Sequence, residues 1–329
     1  MQLSSHNIPG LKTANRSIFS KAGILLFLII ILLYPASSFQ GAKNGLLLWF
    51  NTVLPTLLPF MIVSNLIIRL KISSILSKLF YPLFHIFFDV SEEGSYPILI
   101  GFLSGMPVGA KTIGDMVEKK ILSLREGQYL LSFCNNASPM FIMSYIAISQ
   151  LNLPGFRVAL LLILYGSGVL SAFFIFRLRR GSNRLTAQGY ECMDSYKDST
   201  TFDFEKLDAA IMEGFEVITK VGGYMILFSI CAQIISDFGS SISYLKLFLI
   251  SFLEITTGIN KLNNSGLDMN IKIALITGIT AFGGLSGLAQ TKSVISNTRL
   301  SIHTYFKGKL LHMILAFLIA YLYVNFVGY

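Results

Sequence analysis

The sequence predicts an all-α polytopic membrane protein with two structural repeats that contain broken or re-entrant helices. Of its 329 residues, 53% are hydrophobic and 13% are charged, and the mean hydropathy is +0.65, a balance that soluble domains do not show. The second observation is a short motif that occurs in each half. Leu-Ser-Gly at 103–105 and at 285–287 lies inside an apolar stretch beside further glycines. Paired interruptions of this kind point to the binding site of a transporter.

The charge distribution indicates membrane topology and not nucleic-acid binding. The net charge is +9, and residues 1–88 contain seven Lys or Arg and no Asp or Glu. These basic residues flank apolar segments, which is the positive-inside pattern. The three cysteines have no zinc or redox spacing, the four histidines form no ligand cluster, and no HExxH, GxSxG or P-loop motif is present. We therefore expect no enzyme activity, no metal and no cofactor.

The first half divides into an N-terminal segment and a membrane repeat. Residues 1–40 hold a basic segment and a first transmembrane helix, for which an uncleaved helix with a cytoplasmic N-terminus is favoured over a signal peptide. Residues 41–180 form the first repeat. Its expected elements are a span over 46–68 kinked at Pro55 and Pro59, an interfacial helix over 75–88, a broken element over 96–113, an apolar segment over 128–150 with Asn135 to Pro139 at its middle, and a span over 156–176.

The second half begins after a polar cytoplasmic linker, 181–206. Residues 207–329 form the second repeat, which brings the expected number of membrane crossings to between eight and ten. Because Lys261 and Lys292 suggest one common side, a re-entrant hairpin is favoured over 271–295. The other expected elements are an amphipathic stretch over 208–220 that leads into a span over 221–235, a segment over 244–259 that contains Glu254, and a last helix over 310–327.

Breaks inside a membrane turn helix ends into chemical groups, since N-terminal ends offer N–H donors to anions and C-terminal ends suit cations. Lys111 could meet an anionic substrate, or it could pair with Asp115 one turn away or snorkel. Glu254 could carry a proton, ligate an ion, pair with Lys111 or make a structural hydrogen bond between helices. The predicted substrate-binding residues are Ser104, Gly105, Pro107, Lys111, Asn135, Asn136, Ser138, Ser286 and Gln290, and the predicted coupling or ion-binding residues are Glu254, Thr256 and Thr257. Interhelical hydrogen bonding is the alternative for the Asn135 region.

Five segments of this sequence resemble the sporulation integral membrane proteins of the YlbJ (SpoVV) type, a family of the nucleoside-recognition or Gate group. The segments are 45–60, 101–111, 131–142, 222–229 and 253–258. The resemblance implies an architecture similar to concentrative nucleoside transporters. It also implies a role in endospore formation: moving dipicolinic acid out of the mother cell across the outer forespore membrane.

Physical chemistry and the resemblance are compatible for such a cargo. Dipicolinate is a small dianion, so half-helix N-termini and Lys111 could supply positive potential while asparagine amides bind its carboxylates. A nucleoside or another small solute is the alternative cargo, and a membrane assembly factor in sporulation is the alternative outside transport. The expected partners are the small anionic substrate and the lipid bilayer, with a homo-oligomer or other sporulation membrane proteins as possible protein partners.

Overall fold

The structure, a computed structural model, describes residues 9–178, 201–238 and 244–327, and every element of secondary structure in these ranges is helical. Five helical runs in the described part of the chain are long and apolar enough to cross a membrane. They are Pro35–Arg69, Pro154–Ile175, Phe204–Asp237, Met269–Val294 and Ile302–Val327. The prediction of an all-α integral membrane protein is confirmed. Of the predicted linker, 181–206, only the last six residues lie within the described ranges.

The N-terminal fifth of the chain consists of long helices joined with little interruption. These are α1 (Pro9–Leu33), α2 (Pro35–Leu48), a π-helical turn (Trp49–Val53) and α3 (Leu54–Arg69). The π-helical turn ends two residues before Pro55, whose missing N–H cannot donate to the preceding turn. Pro59 lies inside α3. Helix α1 begins well before Ala22, where the apolar run in the sequence starts.

The rest of the first repeat contains shorter elements. They are α4 (Ile72–Phe88), α5 (Ser95–Ser104), α6 (Val108–Glu118), α7 (Leu124–Cys134), a π-helix (Phe141–Gln150), a 3-10 turn (Pro154–Phe156) and α8 (Arg157–Leu178). The second repeat has a similar succession: α9 (Phe204–Asp237), α10 (Tyr244–Leu253), α11 (Ile255–Asn263), α12 (Met269–Phe282), α13 (Gly284–Val294) and α14 (Ile302–Val327). Each half thus runs from a long helix through a pair of short helices and a broken helix to a final long helix.

Two pairs of short helices form hairpins. In each pair, a glycine after the turn lies against a residue at a similar distance before the turn. In hairpin 1 (α5–α6) a Cβ added to Gly109 would lie 3.1 Å from the Cα of Gly101. In hairpin 2 (α10–α11) a Cβ on Gly258 would lie 2.4 Å from the Cα of Ser251. Each helix has 9 to 11 residues, roughly 15 Å at 1.5 Å per residue, which is too short to cross ~30 Å of hydrocarbon. Both hairpins therefore enter and return, and they reduce the number of crossings that a count of segments gives.

The re-entrant hairpin predicted over 271–295 is wrong. Helices α12 and α13 do not pack against each other, and together they form one candidate span, Met269–Val294. Gly283 and Gly284 adopt φ values of 83° and 70°, which interrupt the helix without reversing its direction. The reversal lies at Glu254, where the sequence analysis expected an uninterrupted segment.

The two halves meet along their long helices. Helix α9 packs against α2 and α3, and α14 packs against α8 and α12. The Trp49 indole N–H donates to the Ile218 carbonyl at 2.9 Å across the first of these contacts. At one end, Arg69 forms an ion pair with Glu213 at 2.5 Å. The hairpins and broken helices lie against this frame.

A stability test follows from the tight packing of hairpin 1 on α7. A Cβ on Gly101 would lie 2.2 Å from the Cys134 carbonyl oxygen, so Gly101→Ala is expected to destabilise the protein by about 1–3 kcal/mol through overpacking. Thermal unfolding in detergent measures the effect. Gly223→Ala is the matched control: this helical glycine has open space around its Cβ position, and alanine there is expected to stabilise by about 0.5–1 kcal/mol. Equal melting temperatures for the two variants would contradict the packing.

Candidate functional site

The two hairpin tips and the two interruptions of the broken helices meet around one cavity of about 80 Å³. This volume holds several water molecules or a small solute. The hairpin tips contribute Met106 of hairpin 1 and Glu254, Ile255 and Thr256 of hairpin 2. The α7 interruption contributes Ala137, Ser138 and Phe141, and the α12–α13 interruption with the first turns of α13 contributes Gly283, Ser286, Gly287 and Gln290. The long helical runs complete the wall with Val53, Thr56, Leu57, Val221 and Met225. Both hairpin tips and both broken-helix interruptions thus contribute to this one site.

The tip of hairpin 1 rests on the interruption between α7 and the π-helix. The Met106 backbone N–H donates to the Asn136 carbonyl at 2.6 Å. Gly105 lies at φ +76° and ψ −160°, a region that is essentially restricted to glycine. A Cβ there would lie 2.6 Å from the Ser138 backbone nitrogen. The glycine of the Leu-Ser-Gly motif therefore allows the close approach of hairpin 1 to α7.

The tip of hairpin 2 is built on the Glu254 carboxylate, which caps α11. Its oxygens accept hydrogen bonds from the backbone N–H of Thr257 at 2.7 Å, the backbone N–H of Thr256 at 3.2 Å and the Thr256 hydroxyl. Glu254 is 1% exposed. A carboxylate at a helix N-terminus is stabilised by the free N–H groups and by the helix dipole. The positive end of α11 thus balances part of the buried charge of Glu254.

Met106 joins the two halves at the cavity. A Cβ on Gly287 would lie 2.8 Å from the Met106 Cε, and one on Gly283 would lie 3.2 Å from it. Hairpin 1 thereby touches the α12–α13 interruption, while Gly284 lies against the Leu253 carbonyl of hairpin 2. The two tips are consequently linked through the same stretch of α12 and α13.

The cavity is mostly apolar and carries a single type of charge. Among the described residues that line it, Glu254 is charged and no lysine or arginine is present. Gln290 donates through its amide to the Ser286 hydroxyl at 3.1 Å, and the Ser138 hydroxyl accepts from the Phe141 backbone N–H at 3.3 Å. A few polar groups in an apolar wall are typical of a small-molecule site.

Asn135 holds the cavity wall from behind. Its amide donates to the Thr291 hydroxyl at 2.9 Å and to the Tyr305 hydroxyl at 2.8 Å, and its side-chain oxygen accepts from the Ala110 backbone N–H at 3.4 Å. These bonds connect α6, α7, α13 and α14 at one point. The structure therefore gives Asn135 a role in interhelical packing, which was the alternative left open by the sequence.

Asn136 points to a buried pair of basic side chains on α14. The Lys309 ammonium donates to the Asn136 side-chain oxygen at 3.0 Å, and the His312 Nε2 lies 2.8 Å from the Leu164 carbonyl. Lys309 and His312 are both fully buried. Neither residue is among the site residues predicted from the sequence. The signal was present in the helical spacing of Tyr305, Lys309, His312 and Ala316, which form one buried face.

The structure brings some of the predicted site residues into the cavity wall and places others behind it. Ser138, Glu254, Thr256, Ser286 and Gln290 line the cavity; Ser104, Gly105, Pro107, Asn135, Asn136 and Thr257 lie in or beside the same interruptions without lining it. Lys111 does neither: its side chain is 18% exposed and forms an ion pair with Asp115 at 2.6 Å. The pairing with Asp115 was one of the alternatives from the sequence. The wall residues from the π-helical turn, α3 and α9 were not predicted, because mostly apolar side chains in a long span carry no distinguishing signal.

Comparison with known proteins gives one informative match. The chain is 28% identical over 330 residues to the sporulation integral membrane protein YlbJ of Bacillus subtilis (strain 168), which covers 90% of this chain and 80% of that protein. No family model matches the chain, and no solved structure matches it significantly. The similarity to YlbJ supports the family resemblance drawn from the sequence motifs. The expected likeness to concentrative nucleoside transporters stays a prediction.

Proposed function

We propose that this integral membrane protein is a transporter of a small solute that acts during sporulation. The observation that carries the proposal is the meeting of both hairpin tips and both helix interruptions at one cavity. Irregular backbone at membrane depth is tolerated where it is buried in protein or lines a cavity, and transporters place their substrate sites at such interruptions. A membrane assembly factor would need neither the hairpins nor the buried carboxylate.

The proposed cargo is dipicolinic acid, and the proposed location is the outer forespore membrane. The cargo and location follow from the YlbJ resemblance, and the size of the cavity suits a small solute. The charge of Glu254 adds a condition. A dianion beside a carboxylate is repelled in a low-dielectric site unless a proton or a cation compensates one of the charges. The proposal therefore gives Glu254, with Thr256 and Thr257, the role of coupling group for a co-transported proton or cation.

A nucleoside or another uncharged solute is the second candidate cargo. The observation in its favour is that the polar groups of the cavity wall are hydroxyls and an amide apart from Glu254, and that Lys111 lies outside the wall. Such groups recognise sugar hydroxyls and base edges without charge compensation. The two candidates differ in cargo and share the same transport site.

Uptake into proteoliposomes that contain the purified protein tests the proposal. We expect saturable uptake of labelled dipicolinate, with a rate that depends on an imposed proton or sodium gradient, and no uptake of labelled uridine. Protein-free liposomes and excess unlabelled dipicolinate are the controls. Uridine uptake without dipicolinate uptake would overturn the cargo and keep the transporter. If neither solute moves although a thermal unfolding transition shows that the protein is folded, the result would count against transport by this chain.

A further inference from the structure

Lys309 is a buried basic side chain, and in the part of the chain that the structure describes no carboxylate pairs with it. Its side chain is fully buried in α14, a candidate span. The ammonium group donates to the Asn136 side-chain oxygen at 3.0 Å and lies 5.8 Å from the centre of the Tyr305 ring. A charged lysine inside a membrane protein is costly unless it is paired, so such residues mark substrate or ion pathways.

The cost of this charge is met only in part by the protein. Lys309 faces Asn136, the second residue after the end of α7, and a cation is favoured near a helix C-terminus. An ammonium group has three N–H donors, and the face of a tyrosine ring attracts a cation. One hydrogen bond and one ring contact leave donor capacity for an anion.

The position of Asn136 connects Lys309 to the cavity. Asn136 is followed in the chain by Ala137 and Ser138, which line the cavity wall. Its carbonyl accepts the Met106 backbone N–H at the tip of hairpin 1. Lys309 therefore lies directly behind the wall on the hairpin 1 side, whereas Glu254 lies in the wall on the hairpin 2 side. A displacement of hairpin 1 would break the Met106–Asn136 bond and loosen the contact that screens Lys309 from the cavity.

We propose that Lys309 is the residue that selects for a carboxylate-bearing solute in this site, by compensating the charge of one carboxylate through direct contact or through Asn136. The proposal rests on the transport function proposed above and names its source of anion specificity. It also accounts for a cavity wall without lysine or arginine, because the positive charge lies behind the wall. Charges interact strongly over several ångströms in a low-dielectric interior.

The test compares Lys309→Met with Lys307→Met, a matched control on the same helix whose side chain is exposed. We expect Lys309→Met to raise the KM for dipicolinate at least tenfold in proteoliposomes and Lys307→Met to leave it within twofold. A second readout is the thermal stabilisation of the detergent-solubilised protein by dipicolinate and by its neutral isostere, pyridine-2,6-dicarboxamide. The native chain is expected to prefer the dianion, and Lys309→Met is expected to lose that preference. A purely structural role of Lys309 would change stability and leave the preference intact.

The outcomes separate this proposal from the proposed function. If the native chain moves neither dipicolinate nor uridine, the transport function fails. If the native chain moves dipicolinate and Lys309→Met does so with an unchanged KM, only the assignment of Lys309 fails. Should Lys309→Met not fold, Lys309→Gln preserves a donor to Asn136 and takes its place. A native chain that does not distinguish dipicolinate from the diamide would overturn the assignment without any variant.

Discussion

Glu254→Gln is expected to lower the uptake rate of the cargo about tenfold to a hundredfold while the protein remains folded. The carboxylate accepts hydrogen bonds from two backbone N–H groups and one hydroxyl at the tip of hairpin 2. A glutamine has one acceptor oxygen where the carboxylate has two, and its NH2 group faces hydrogen-bond donors that the second oxygen accepted from. Hydrogen bonds to a charged group contribute about 1.5–3 kcal/mol each, and each 1.36 kcal/mol corresponds to a factor of ten in rate.

The measurement is initial uptake in proteoliposomes at several pH values, with and without sodium. Glu216→Gln on α9 is the matched control, because Glu216 forms an exposed ion pair with Lys220 and such pairs contribute little. The variant should lose the pH or sodium dependence of the native chain as well as its rate. Retention of the full dependence on pH and sodium in Glu254→Gln would remove this residue from the coupling step.

The sequence predicted those interruptions that depend on glycine, proline or a polar cluster. Gly105 and Pro107 define the tip of hairpin 1, and Asn135 to Pro139 mark the end of α7, because residues of these types cannot continue an apolar helix at low cost. The turn at Glu254 was missed. Its sequence contains no helix breaker, and the chain reverses because the carboxylate replaces the backbone partners of α11. A carboxylate in an apolar stretch can cap a helix or lie within one, and the sequence does not distinguish these two cases.

The two Leu-Ser-Gly motifs lie beside the same cavity, but they are not structurally equivalent. In the first half Gly105 lies in the reversal of hairpin 1, whereas Gly287 lies on α13, past the α12–α13 interruption. Both residues nevertheless contact the same region, because Met106 packs on Gly287. Both motifs lie near this cavity because close approach of the chain segments there requires glycine on both sides. The order of helices, which shows that hairpin 1 corresponds to hairpin 2, could not be read from so few identities.

The burial of Lys309 depends on contacts between distant parts of the chain, which the local sequence does not show. In sequence Lys309 stands among His303, Lys307 and other polar residues, which predicts a cytoplasmic turn and a helix that starts near residue 310. In the structure α14 begins at Ile302, and the extra two turns carry Lys309 inward. The burial depends on Asn136, which is far away in the chain and offers its side-chain oxygen. The helical spacing of Tyr305, Lys309, His312 and Ala316 indicates a buried face, but it does not identify Asn136 as the partner of Lys309.

Gly105→Ala is expected to have the largest effect on stability of the single substitutions considered, about 2–6 kcal/mol. The cost combines about 1–3 kcal/mol of backbone strain at φ +76° with about 1–3 kcal/mol of overpacking against the Ser138 backbone. The tip of hairpin 1 should therefore detach from the α7 interruption. Because Met106 and Ser138 both line the cavity, the variant should also lose transport.

Thermal unfolding and uptake measured on the same preparations test this expectation, with Gly266→Ala as the control. Gly266 lies between α11 and α12 without a positive φ and with open space around its Cβ position, so alanine is tolerated there. Comparing the two variants separates the effect of Gly105→Ala on the hairpin 1 tip from a general effect of replacing glycine by alanine. A Gly105→Ala protein that melts like the Gly266→Ala control but no longer transports would mean that hairpin 1 moves away from α7 at little cost, as a mobile gate would. A variant with native melting and native uptake would contradict the contact between the hairpin 1 tip and Ser138.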